Sequence, residues 1–196
     1  MISKVLSSSV IGIDAVPVEV EVDLALGLPS FSVVGLADIA VKESKDRVRS
    51  AIKNSGQKFP THRITVNLAP ADLKKEGSAF DLPIAVGILS RQGIIPQDAL
   101  VGCILVGELS LNGSIKPIRG ALPMAIRAKA EGIRAMIVPK ENAPEAAIVG
   151  GIEISSVDSL AETLSFLNHE IDLVPERTDL YTLLREQPPA GLDYSD

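Results

Sequence analysis

The stretch "PVEVEVDLALG", Pro17 to Gly27, sets Val18, Val20, Val22 and Leu24 on one side of an extended chain and Glu19, Glu21 and Asp23 on the other. Side chains alternate across a strand, so this pattern demands a sheet with one face in a core and one face in water. Residues 2–36 alternate in the same fashion, and "GLPSFSVVGL" adds a further β-branched run after a Gly-Leu-Pro turn. Three antiparallel strands are predicted here. The core they face must be aliphatic, because the chain is 46% hydrophobic yet has no Trp, two Tyr and four Phe. Aliphatic, β-branched cores suit sheets covered by helices.

Beyond residue 36 the period changes. Asp38 reads as an N-cap, and "IAVKESKDRVRSAIKNS" as a helix ended by Gly56, with Val41, Val48 and Ile52 on one side. "RITVNLAP" reads as a strand, Phe80 to Gln92 as a helix with Pro83 in its first turn, and "LVGCILVGELSLNGSIKPI" as two short strands around Asn112-Gly113. A helix over 120–130, the strand "RAMIVP", a short helix at "NAPEAAIV", the strand "IEISSV" and a helix from Ser159 to Leu167 follow. Strands first and βαβ units afterwards predict an α/β domain of two layers. After about residue 172 the chain turns polar and Pro-rich, which predicts a linker or arm with one helical turn at "LYTLLRE".

Several function classes are disfavoured by composition. A net charge of −6 argues against a surface that is nucleic-acid-binding throughout. The lone Cys103 sits in an apolar run and reads as a buried small hydrophobe, while His62 and His169 lack ligand spacing, so no zinc site is expected. The opening residues lack a signal-peptide pattern and no apolar run approaches the ~20 residues of a membrane helix, so a cytoplasmic location is expected.

Two segments carry chemistry or its remains. "APADLKKEGSAFDLPIAVGILS" and "GELSLNGSIKPIRGALPMAIRAKAEGIRAMIVPKEN" resemble the two signature segments of the Lon-protease proteolytic domain. The resemblance implies the Lon-like, ribosomal protein S5 domain 2-like α/β fold. Lon uses a serine nucleophile and a lysine base, which requires a hydroxyl within reach of an amine whose proton affinity burial has lowered. On the family pattern the serine position falls on Ala79 and the lysine position on Leu122, so the frame persists while neither reacting group does. Ser78 is one residue away, a rotation of about 100° on a helix. It reads instead as a cap for the following helix, with Asp81 completing a box-like start. The candidate amines Lys74, Lys75 and Lys116 lie in polar turns, where water is expected to keep them charged. Asp81 and Glu108 read as capping and hairpin acids rather than an acid/base pair, and Arg119 either as a residue at the former active-site cleft or as a surface arginine near a helix start.

A narrower resemblance extends over nearly the whole chain. "GLPSFSVVGLADIAVKESKDRVRSAIKNSG", "RITVNLAPADLKKEGSAFDLPIAVGIL" and "GELSLNGSIKPIRG" resemble the N-terminal domain of magnesium-chelatase-like AAA+ ATPases of the ComM/YifB type. This implies a Lon-like N-terminal domain over residues 1–171 and, over 172–196, a linker leading to an AAA+ ATPase module. It also implies a hexameric, ATP-driven DNA motor, associated in ComM members with branch migration during natural transformation. No G-x-x-x-x-G-K-[ST] run occurs, so no cofactor is expected in this chain, with ATP and Mg belonging to the AAA+ module. The expected partners are that module, further copies of the chain and DNA, with no membrane.

Lys42, Lys45, Arg49 and Lys53 fall within about 80° of one another on the predicted helix. A row of cations can track a phosphate backbone, which makes these four the candidate DNA contacts, with Asp46 at their border; a plainly solvated helix face and a contact with a neighbouring subunit are the other readings. The alternatives are a serine peptidase using Ser78 with a displaced lysine, and a purely structural oligomerisation domain.

Overall fold

The computed structural model describes residues 2–178. The strands β1 (Ser3–Ile11) and β2 (Asp14–Ala25) form a hairpin, paired from Ser3 with Val22 to Ile11 with Asp14. β4 (Arg63–Ala69) joins the other edge of β2 in antiparallel register. β3 (Ser30–Val34) does not follow the predicted antiparallel meander. It crosses β4 and pairs with it in parallel, Ser30 opposite Arg63, at the edge of the sheet. A later strand has inserted between two that are consecutive in sequence, so only long-range pairing decides this register.

The second half adds the parallel strands β5 (Cys103–Leu105), β8 (Ala135–Pro139) and β9 (Glu153–Val157), giving the order β3-β4-β2-β1-β5-β8-β9. The sheet is thus mixed and mainly parallel. The strands β6 (Glu108–Leu109) and β7 (Ile115–Lys116) form a separate two-stranded hairpin around Asn112-Gly113, where Gly113 adopts φ 89°.

Among the described residues five α-helices complete the fold: α1 (Ile39–Asn54), α2 (Asp81–Arg91), α3 (Ala121–Ala130), α4 (Ala143–Ala147) and α5 (Leu160–Leu167). Asp38 caps α1 as expected, its carboxylate accepting from the Val41 amide at 2.8 Å. Ser159 caps α5 by accepting from Glu162. α2 begins at Asp81, whose amide donates to the Ser78 carbonyl, but the Ser78 side chain makes no cap bond to it.

The alternation in β2 is borne out. Val18, Val20 and Val22 are fully buried in one core with residues of α1 and α2, each contributing on the order of 1.5–3 kcal/mol. On the wet face Glu19 and Glu21 pair with Lys4. Further along, both faces are covered. Leu105 and Ile137 join the first core, while Ile104, Met136 and Val138 pack with α3 and α4 in a second. That is why "CIL" and "AMIVP" are apolar without alternation.

Residues 172–178 carry no helix or strand, although the Glu176 amide donates to the Ile154 carbonyl of β9 at 2.7 Å. The predicted turn at "LYTLLRE" and the rest of the expected linker lie outside the described residues. No helix among the described residues is long and apolar enough to cross a membrane.

Candidate functional site

Two concave regions hold several of the residues singled out above. The first is a cleft of about 550 Å³ between β1, the turn before α2, β6 and the start of α3. Ala79 and Ser78 line it, together with Ser8, Ser9 and Arg119. From α3 the lining residue is Met124; Leu122 does not line the cleft. Leu122 is half-buried, and its amide donates to Glu145 of α4 at 3.0 Å.

Backbone bonds fix the position of Ala79. Its carbonyl accepts from the Gly107 amide at 2.9 Å, and the Gly107 carbonyl accepts from Leu82 at 3.0 Å, tying the start of α2 to the β5–β6 connection. The Ser78 hydroxyl donates to the Glu108 carboxylate. This corrects the capping assignment, and the reason is geometric: the two residues between Ser78 and α2 turn the hydroxyl across to β6. A carboxylate here orients the hydroxyl, but a serine nucleophile also needs a base that takes its proton. Among the described residues no lysine nitrogen bonds a serine oxygen.

Lys75 departs most from expectation. It is fully buried, although Lys74 and Glu76 beside it are exposed and paired with each other. Its backbone bridges Ala37, with the Lys75 amide donating to Leu36 and its carbonyl accepting from Asp38, which turns the side chain inward. The ammonium donates to the Pro70 carbonyl, and burial pushes its pKa below the ordinary 10.5 against the opposing pull of Asp72. It holds a loop together rather than a nucleophile.

Asp81 is the second departure. It is fully buried, accepting from Arg47 of α1 and from the Leu109 amide at 3.1 Å, so its role is to bind three elements together. Asn142, which sequence reasoning missed, brackets Ile118 by bonding both its amide and its carbonyl, and so holds the segment carrying Arg119. Cys103 is buried as expected, its thiol pushed up to about 12 chiefly by that burial. Three carboxylates (Asp38, Glu76 and Glu108) face the cleft against the single guanidinium of Arg119, a poor field for a phosphate.

The second region is the outer face of α1. Lys42, Lys45, Arg49 and Lys53 are all exposed, and no ion pair among the described residues includes any of them. Lys45, Arg49 and Lys53 line a groove of about 400 Å³ with Phe31, Phe59 and His62, whereas Lys42 lies outside it. The Arg49 guanidinium sits over the Phe59 ring, 5.8 Å from its centroid. Phe59 and His62 were missed in the sequence. The signal was present as aromatic residues in "KFPTHR", directly after a cationic helix.

Comparison with known proteins agrees with this frame. The family described as subunit ChlI of Mg-chelatase matches residues 20–142. YifB of Escherichia coli is 41% identical over 180 residues, covering 91% of this chain and 35% of YifB. Competence protein ComM of Haemophilus influenzae is 42% identical over 176 residues, covering 90% of this chain and 34% of ComM. The chain thus spans about a third of the length of these relatives. Lon protease 2 of Bacillus subtilis is 31% identical over 164 residues, 75% of this chain and 29% of that protein, consistent with a Lon-like fold. With this match across most of its length, the chain belongs to the Mg-chelatase ChlI-type family that includes YifB and ComM.

Proposed function

We propose that this chain is a non-catalytic Lon-like domain that engages DNA on behalf of an ATP-driven motor. Its setting is a ComM/YifB-type protein in which ATP and Mg are handled by an AAA+ module, working in the cytoplasm as a hexamer. The observation that carries the reading is the α1 face, where four exposed cations form no ion pair among the described residues on a chain of net charge −6. Charge of one sign gathered on one helix face suits a polyanion. The absence of a hydroxyl at position 79 supports a role in binding rather than peptide cleavage.

The test is binding of single-stranded and branched DNA at low and moderate salt, comparing the chain with its Lys45→Glu/Arg49→Glu variant. The reading expects binding that weakens steeply with salt and is lost on charge reversal. Unchanged binding in the variant removes α1 from consideration. No binding by the parent chain at low salt supports a purely structural oligomerisation role instead.

A further inference from the structure

We propose that the groove beside α1 is a stacking site for single-stranded nucleic acid, with Phe31, Phe59 and His62 supplying rings for bases and Lys45, Arg49 and Lys53 holding phosphates. The inference rests on the reading of α1 as a DNA-facing surface and adds to it a strand preference. A cationic helix face alone favours the higher charge density of a duplex. A groove that joins cations to aromatic rings favours a strand whose bases are free to stack.

Several observations bring these groups together. The chain has only four phenylalanines, and two of them line this one groove, whereas Phe80 is buried in the core and Phe166 lies on α5. Arg49 lies over Phe59, so its planar guanidinium can offer both a stacking surface and a phosphate donor. No carboxylate among the described residues lines the groove, unlike the cleft at Ala79. The rings come from β3 and from the loop entering β4, two neighbouring strands, while the cations come from one turn-spaced row on α1. Rings and cations therefore line one groove.

The test compares fluorescence anisotropy of an oligothymidylate of about 20 nucleotides with that of a duplex of equal length, at about 50 mM salt. The chain is expected to bind the single strand about tenfold more tightly than the duplex. Phe59→Leu and Phe31→Leu are each expected to weaken single-strand binding at least about fivefold with duplex binding unchanged, although both rings also pack against the core and some loss of thermal midpoint accompanies the change. Phe59→Tyr, which keeps a ring, should retain the parent affinity. Equal affinity for the two DNA forms, or leucine variants that bind the single strand as the parent does, overturns the inference. So does displacement of the oligothymidylate by polyglutamate at equal concentration, which shows recognition of charge alone. If Lys45→Glu/Arg49→Glu loses binding while the leucine variants keep it, the stacking site falls and the DNA-facing role of α1 stands. If the parent chain binds neither DNA form, both fall together.

Discussion

Arg47 of α1 reaches Asp81 in the first turn of α2, with its Nε atom 2.6 Å from the Oδ2 atom of a carboxylate that has no exposed surface. The same carboxylate accepts the Leu109 amide, so one buried anion fastens α1, α2 and β6 to one another. This latch stands between the cleft at Ala79 and the cationic face of α1, and it holds the helix that carries the candidate DNA contacts.

The latch is sensitive to pH in a defined direction. Burial pushes the Asp81 carboxyl up from 3.8 to about 6, against the pull of the Arg47 guanidinium and the Leu109 amide. The folded chain therefore holds a proton between about pH 4 and pH 6 that the unfolded chain has released. Asp81's contribution to stability is fully present below about pH 4, falls as pH rises to about 6, and is level above that. Arg47→Ala leaves this carboxylate buried without its cation, at a cost of about 3–5 kcal/mol near neutrality. The cost should shrink at about pH 5, where Asp81 can take up a proton. Urea unfolding at the two pH values measures it, and an equal cost at both contradicts the assignment.

Helix α2 sits close on the sheet because position 87 has no side chain. A Cβ placed there lies 2.7 Å from the Cγ2 atom of Val22 in β2. Gly87→Val is expected to destabilise the fold by about 1–3 kcal/mol through overpacking, read as a lowered denaturation midpoint. An unchanged midpoint means that α2 and β2 are not in contact at this point.

The Ser78 hydroxyl opens on a cleft but bonds a carboxylate, and no lysine among the described residues lines that cleft. Peptide hydrolysis by the chain should therefore stay at background, and Ser78→Ala should leave it there. A fluorophosphonate probe should not label the chain. Turnover or labelling that Ser78→Ala abolishes restores the peptidase alternative.

Much of the frame was legible because it is local. The alternation of Val18, Val20 and Val22, the Asp38 cap and the angular row Lys42, Lys45, Arg49 and Lys53 all follow from the geometry of a single element. What escaped depends on distant partners. The place of β3 is decided by β4, some thirty positions later in the chain. The inward turn of Lys75 depends on a bridge to Ala37, and its polar neighbours conceal that burial. Asp81 could not be separated from a capping residue without knowing that Arg47 lies opposite. Phe59 reads as an isolated aromatic until the fold sets it under Arg49.

The most direct test of the account is a map of amide chemical-shift changes on adding an oligothymidylate to the isotope-labelled chain at low salt. The account predicts that the changes gather on α1 from Lys42 to Lys53 and on the segment from Phe59 to His62. Changes gathered instead around Ala79, Glu108 and Arg119, or no changes at all, contradict it.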